Sequence, residues 1–320
     1  MFMNRYLSLQ LYKNIGKRGQ EKLGKAYVAI VGIGALGTVC SDLLARSGIG
    51  KILLIDRDFV ELSNLQRQVL FDENDIGKPK PHVAKEKLKK INSEINIVSK
   101  CEDINHNNVS MLGKPNIIIA ATDNMESRFI LNDYCLKNNI PLVYGGAVSD
   151  KGSIFAVIPN GPCLRCIFPG AAEETCDTSG ILNSCSAIIG SMMANEAIKY
   201  LVNGANEDSL IYFNVWTNEF SKIKVKKNSG CPACRGNYQY LDGEIKTKTV
   251  SLCGQGAYHI NGQKKDLVVI SKKLSKLGDV QKFSGILHFR KITLFEDGRA
   301  IIKAGTENEA RKIYSKYIGN

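Results

Sequence analysis

Residues 29–68 read AIVGIGALGTVCSDLLARSGIGKILLIDRDFVELSNLQRQ, and the order of residue types in this stretch decides the fold. The apolar run Tyr27 to Val31 meets Gly32, Gly34 and Gly37; a helical pattern follows, then a second apolar run, Ile52 to Ile55, closed by Asp56. Strand, glycine turn, helix, strand and acid is the order of a nucleotide-binding βαβ unit. Glycines let backbone N–H groups approach phosphate at a helix N-terminus, and an acid ending the next strand takes a ribose diol.

Working outward, Arg5 to Leu23 has helical spacing and makes a lead-in helix with Gly24 as its stop. Downstream, Asn64 and Arg67 stand three residues apart and share a face if helical. Gly77-Lys78-Pro79-Lys80 is a loop opening onto a helix over His82 to Ile91, and Ile95 to Cys101 is a third strand. The continuous apolar run Asn116 to Ala121 suits a strand buried on both faces of a parallel sheet. It ends at Asp123, before a helix over Met125 to Asn138. Ligands of such sheets bind outside the carboxyl ends of the strands, which puts Asp56 and Asp123 at the site. Pro141 to Ala147 is another strand, and Gly152 to Ile158 begins an antiparallel portion, with further strands at Leu210 to Val215 and Lys222 to Lys226. The stripe from Ala187 to Val202 is helical, and Gly170 to Cys185 reads as a mobile loop. Gly236 to Gly243 reads as a linker to a small unit with strands near Val250, Phe283 to Phe289, Lys291 to Phe295 and Ala300 to Lys303, closed by a helix over Glu307 to Tyr317. The expected class is therefore α/β: a Rossmann-like, mostly parallel sheet with helices on both faces and an antiparallel extension, then a small α+β unit. The expected domains are 1–243 and 244–320.

Composition narrows the function classes. The chain has 320 residues, 44 % hydrophobic and 23 % charged, with no apolar run long enough to span a bilayer and no signal-peptide core in Met1 to Gln10. A cytoplasmic protein without a membrane partner is expected. The net charge of +12 suits an acidic partner, either nucleic acid or protein, although lysines scattered along the chain also read as solvated faces. Ten cysteines in a reducing compartment argue for metal or catalysis. Cys163 and Cys166 form one C-x-x-C, Cys231 and Cys234 another; four thiolates in two such pairs suit tetrahedral Zn²⁺, with a redox pair as the alternative. Six cysteines stand alone, Cys176 among them.

A glycine turn with a distal acid alone suits NAD or FAD, and a nicotinamide-dependent oxidoreductase is the alternative of another class. Cations beside the turn point elsewhere. A triphosphate needs Arg or Lys and Mg²⁺ to hold its charge, which Arg67, Lys80 and a strand-end carboxylate at Asp123 supply. The bland readings are a surface ion pair for Arg67, a solvated loop lysine for Lys80 and a helix cap for Asp123.

VGIGALG, LIDRDFVELSNLQRQ, IGKPK, ATDNMESR, the two C-x-x-C pairs and ETCDTSG resemble the ThiF/MoeB/HesA family, prokaryotic relatives of ubiquitin-activating enzymes, over roughly Arg5 to Arg235. The resemblance implies ATP-dependent adenylation of the C-terminal glycine of a ubiquitin-fold sulfur-carrier protein ending in Gly-Gly, in thiamine or molybdopterin biosynthesis. By matching position it implies that Gly32, Gly34 and Gly37 line the nucleotide, that Asp56 binds the ribose with Asp58 and Asn64 assisting, that Arg67 and Lys80 hold the phosphates, and that Asp123 carries Mg²⁺. It makes the paired cysteines a structural zinc site and gives Cys176 a place in sulfur transfer, with a sulfurtransferase or cysteine desulfurase as a further partner. It implies a homodimer, and nucleic acid is not the expected partner, although family relatives that adenylate a peptide or tRNA-linked carboxylate leave that alternative open. One departure is Ser8, where the family carries an arginine that reaches the partner subunit's ATP site; either Arg5 or Arg18 substitutes, or the cross-subunit contact is lost.

Overall fold

The computed structural model describes residues 4–168, 180–205, 207–245, 251–252, 257–260, 262–283, 285–296 and 298–319. The chain divides into two compact units at Lys246 and Thr247. In the first, β1 (Tyr27–Val31), β2 (Lys51–Asp56), β3 (Asn96–Cys101), β4 (Ile117–Ala120) and β5 (Leu142–Val148) are followed by β6 (Lys151–Val157), β7 (Ser209–Asn214) and β8 (Glu219–Lys224). They form one eight-stranded sheet in the order β3-β2-β1-β4-β5-β6-β7-β8. Pairing is parallel from β3 to β5 and antiparallel from β5 to β8.

The apolar runs are continuous because both faces of the parallel part are covered. Val28 and Ile30 of β1, Ile52 and Leu54 of β2, and Ile117 and Ile119 of β4 join one core; Ala29, Val31, Leu53, Ile55, Ile118 and Ala120 join the other. The first core is closed by α2 (Gly16–Lys25), α3 (Ala35–Arg46), α4 (Lys80–Ile91) and, after α5 (Met125–Asn138) and the one-turn α6 (Leu164–Ile167), the long α7 (Asn183–Asn203). The second is closed by α5 and the segments around the paired cysteines.

Three readings of the sequence need correction, one being the single strand expected over Phe283 to Phe289, whose range is divided between two antiparallel strands, Gln281–Phe283 and Ile286–Phe289. The N-terminal lead-in is two helices, α1 (Leu7–Leu11) and α2, and Gly24 lies inside α2 rather than ending it. Residues 236–243 are no free linker: Tyr240 packs on Phe129, Leu241 joins the second core, and the Tyr240 N–H donates to Asp133 at 3.1 Å. The expected mobile loop from Gly170 lies largely outside the described residues, as does Val250.

The second unit builds a six-stranded antiparallel sheet from β9 (Ser251–Leu252), β10 (Ala257–Ile260), β11 (Gln281–Phe283), β12 (Ile286–Phe289), β13 (Ile292–Phe295) and β14 (Ala300–Lys303), in the order β11-β12-β13-β14-β10-β9. Helices α8 (Leu267–Leu274) and α9 (Glu307–Tyr317) start at Asp266 and Thr306, whose side chains accept the orphan N–H groups of the first turn. Leu274, Phe289, Leu294, Ile302 and Tyr314 form its core.

Candidate functional site

The site begins where β1 and β2 end. Gly32 has φ +93° and an ideal Cβ there would lie 2.4 Å from the Ala121 carbonyl oxygen; at Gly37 it would lie 1.9 Å from the Gly32 oxygen. Only glycine fits either place. The chain thereby turns tightly from β1 into α3, whose first turn is capped by no side chain at Gly34. Its free N–H groups and the dipole behind them make an anion site.

Asp56, at the end of β2, closes the turn from the other side. Its Oδ2 accepts the Ile33 N–H at 2.6 Å and its Oδ1 accepts the Asp58 N–H at 2.8 Å. Burial, with Asp58 nearby, raises its proton affinity above the ordinary carboxylate range. From here the chain makes a loop whose base is closed by Val60 N–H to Lys78 oxygen and Gly77 N–H to Val60 oxygen, both 2.9 Å. That closure returns Lys80, the first residue of α4, to Asp58. The Lys80 N–H donates to the Asp58 carbonyl at 2.9 Å and Nζ donates to its carboxylate at 3.1 Å. Lys80 is 3 % exposed. Burial works against its charge, but Asp58 and Asp56 outweigh it and hold the ammonium more tightly protonated than a free lysine. It is a buried ion-pair partner, not a solvated loop lysine.

The same loop carries Asn64, Arg67 and Gln68. Asn64 is buried and its Oδ1 accepts the Glu61 N–H at 3.3 Å, so it shapes the loop as a capping residue. Arg67 is half-buried, its Nη1 on the Ser63 oxygen at 2.9 Å. Gln68 is also buried; Nε2 lies 3.8 Å from where a Gly34 Cβ would be, and Oε1 has no hydrogen-bond partner among the described residues. A buried acceptor left open beside the cradle suits a ligand that brings a donor.

Asp123 follows β4 with its side chain 61 % exposed. It is not the helix cap: Asn124 is, accepting the Ser127 N–H at 2.8 Å. Arg128 fixes this turn by donating from Nε (3.1 Å) and Nη2 (2.7 Å) to the Thr122 oxygen, its guanidinium over the Tyr144 ring. Between Asp123 and the end of β2 sits Arg57, which the sequence reading passed over. It pairs with Asp103 at 2.9 Å, Asp58 at 3.8 Å and Asp123 at 3.9 Å. Burial opposes its charge, and these three carboxylates together with Asp56 more than compensate, raising its proton affinity further. The glycines, Asp56, Asp58, Lys80 and Asp123 thus gather at the carboxyl ends of β1, β2 and β4.

A second cluster lies in the other core. The sulfurs of Cys163, Cys166, Cys231 and Cys234 are all within 4.8 Å of one another, with Cys163–Cys231 at 3.6 Å, Cys166–Cys234 at 3.5 Å and Cys163–Cys166 at 3.9 Å. A disulfide needs about 2.05 Å. Four sulfurs each about 2.3 Å from one ion lie about 3.8 Å apart, so the set fits tetrahedral Zn²⁺. Burial pushes the Cys163 thiol up and Cys234 to about 12, while Cys166, burial notwithstanding, is held below its ordinary value by the Asn228 N–H at 3.4 Å. Both arms hang on α5: Asn132 Oδ1 accepts the Leu164 N–H at 2.9 Å, and the adjacent Asp133 accepts that of Tyr240. Cys40, Cys101, Cys135 and Cys185 are buried core thiols, whereas Cys176 and Cys253 lie outside the described residues. Arg5 is engaged within its own chain, by the Ile91 oxygen at 2.9 Å and Glu94 at 3.6 Å; Arg18 is exposed on α2.

With this geometry established, comparison with known proteins is direct. The model of the ThiF family matches residues 7–233. The chain belongs to the ThiF family. Among ThiF-family relatives, the sulfur carrier protein ThiS adenylyltransferase of Bacillus subtilis is 36 % identical over 98 % of this chain and 99 % of its own length. The molybdopterin-synthase adenylyltransferase of Salmonella typhimurium is 33 % identical over 72 % of this chain and 96 % of its own. Among solved structures, Escherichia coli MccB with ATP has TM-score 0.65 and 27 % identity, covering 72 % of this chain and 74 % of that one. The second unit is thus included in the match to the Bacillus protein.

Proposed function

We propose that this chain is an adenylyltransferase that uses ATP to activate the C-terminal glycine of a small ubiquitin-fold sulfur-carrier protein of the ThiS type ending in Gly-Gly. The observation that carries the reading is the buried Lys80 beside Asp58 at the rim of the Gly32–Gly37 turn, within a chain that aligns end to end with a ThiS adenylyltransferase. The carrier's terminal carboxylate is ionised at neutral pH and needs no general base. Its oxygen attacks the α-phosphorus of ATP; the bond to the β-phosphate oxygen breaks, pyrophosphate leaves, and an acyl-adenylate remains. Catalysis is then positioning and charge neutralisation. Gly32, Gly34 and Gly37 with the α3 N-terminus receive the phosphates, Asp56 and Asp58 orient the ribose end, Asn64 shapes the loop, and Lys80 and Arg67 meet the charge that develops. Asp123 offers a carboxylate for Mg²⁺, which supplies charge neutralisation when bound.

The four cysteines hold a structural Zn²⁺ that ties residues 163–166 to 231–234. A homodimer and a cytoplasmic location belong to the reading. The family match sets aside the nicotinamide-dependent oxidoreductase. Sulfur comes from a separate sulfurtransferase or cysteine desulfurase, with Cys176 joining the transfer: Cys176→Ala spares pyrophosphate exchange and impairs thiocarboxylate formation, and equal loss of both refutes its part. Asp123→Ala is expected to abolish carrier-dependent exchange between ATP and pyrophosphate; near-normal exchange in that variant sinks the assignment. Exchange driven by a free peptide or a tRNA-linked carboxylate, and by no Gly-Gly carrier, replaces the substrate class.

A further inference from the structure

We propose that Arg57 is a positioning residue which, anchored by Asp103, tethers one oxygen of Asp123 and leaves the other free for the cation that accompanies ATP. The inference rests on the adenylation reading and extends it to a residue that touches neither phosphate nor ribose in that reading.

The geometry is graded. Arg57 Nη1 donates to Asp103 Oδ1 at 2.9 Å, a charge-assisted hydrogen bond between side chains 12 % and 19 % exposed. Its contact with Asp58 is looser, at 3.8 Å, and Asp58 already holds Lys80. Asp123 lies 3.9 Å from Arg57 Nη2, beyond a hydrogen bond but within electrostatic reach. Arg57 is therefore fixed on the Asp103 side and pulls on Asp123 without saturating it. Among the described residues, the two contacts of the Asp123 carboxylate fall on one atom: Arg57 Nη2 and Asn124 Nδ2, the latter at 3.3 Å, approach Oδ1. Among the described residues nothing contacts Oδ2, which is left available. The backbone beneath is held by Arg128 on Thr122, so rotation of the Asp123 side chain is the freedom that Arg57 limits.

The carboxylates come from three places in the chain: Asp58 after β2, Asp103 after β3 and Asp123 after β4. Arg57 joins them because parallel strands deliver their ends to one edge. Partners behind a metal ligand orient it, and their loss costs about 10- to 100-fold in affinity or activity.

The test measures ATP binding to the full-length chain by calorimetry, without carrier, as Mg²⁺ is titrated, alongside urea unfolding of the same samples. Arg57→Gln is expected to raise the half-saturating Mg²⁺ concentration about tenfold, the lower end of that range because the contact is long. Asp103→Asn, which retains Arg57 but weakens its anchor, shifts it in the same direction by less. Arg57→Lys keeps the charge without the two-pronged reach, and recovers stability but not the Mg²⁺ dependence. A purely structural role moves the unfolding midpoint and leaves the half-saturating Mg²⁺ unchanged. Wild-type Mg²⁺ dependence in Arg57→Gln, or in Asp103→Asn where Arg57→Gln fails to fold, overturns the inference alone. Absence of Mg²⁺-dependent ATP binding in the wild-type chain overturns the adenylation reading and this inference with it.

Discussion

Replacing Lys80 by alanine tests both the construction of the site and its use. The ammonium is 3.1 Å from the Asp58 carboxylate, and the two side chains are 4 % and 22 % exposed. Removing one partner of a buried pair costs about 3–5 kcal/mol, because the other charge stays desolvated. Asp58 keeps the guanidinium of Arg57 at 3.8 Å and some contact with solvent, so the lower figure, about 3 kcal/mol, is expected. This loss falls on the protein without nucleotide and is read as a lowered urea midpoint of the first unit. On the adenylation reading the site also loses the cation proposed to meet the phosphates, and by analogy with a single transition-state donor the exchange rate is expected to fall about 10²- to 10³-fold. Lys80→Arg retains the charge but brings a broader head group to a buried position, and is expected to lie between the two. A Lys80→Ala protein within about 0.5 kcal/mol of wild type, the range of neutral surface changes, refutes the buried-pair account. Normal stability with lost exchange refutes only the structural half.

Two further outcomes follow from the other core. Metal analysis of protein purified without chelators is expected to give one zinc per chain, and Cys163→Ser to lose it together with thermal stability; a zinc-free but fully stable wild-type protein contradicts the site. Asp133 gives a pH signature. Burial raises its carboxyl to about 6, above the unfolded value of about 3.9, so between these values the folded chain holds more proton than the unfolded one. Its contribution to stability therefore falls as pH rises through that window and is level above it. Relative to Asp133→Asn, wild type should lose roughly 1–3 kcal/mol of unfolding free energy from pH 4 to pH 7; a pH-independent difference refutes the assignment.

Much of the site was legible because its signals are local. The glycines and Asp56 fall within one βαβ unit, and the C-x-x-C spacing places each cysteine pair on one turn. Helix Met125–Asn138 and strand Ala300–Lys303 match their sequence expectations. Arg57 escaped because its meaning depends on Asp103 and Asp123, which reach it only through the parallel strand order. The sole local signal was a cation between two acids at a strand end. Asn132 and Asp133 were hidden for a related reason: α5 is covered on most of its circumference, so polar residues on it interrupt no apolar stripe that a periodicity would reveal. Residues 236–243 looked like a linker because glycine and polar residues dominate there, yet Tyr240 and Leu241 supply enough apolar surface to dock. In the second unit, Ala257–Ile260 and Leu267–Leu274 were missed; both are short, and tertiary contacts decide such segments more than local propensity does.

The central claim is that the glycine turn, Lys80 and Asp123 serve the activation of a carrier's terminal carboxylate. Its most direct test is isotope exchange between pyrophosphate and ATP, measured with the full-length chain and a purified ThiS-type carrier, intact and with its terminal Gly-Gly removed. Exchange that requires the intact carrier and vanishes with the truncated one is the predicted result. Exchange indifferent to the terminal glycines, or absent with every Gly-Gly carrier supplied, contradicts it.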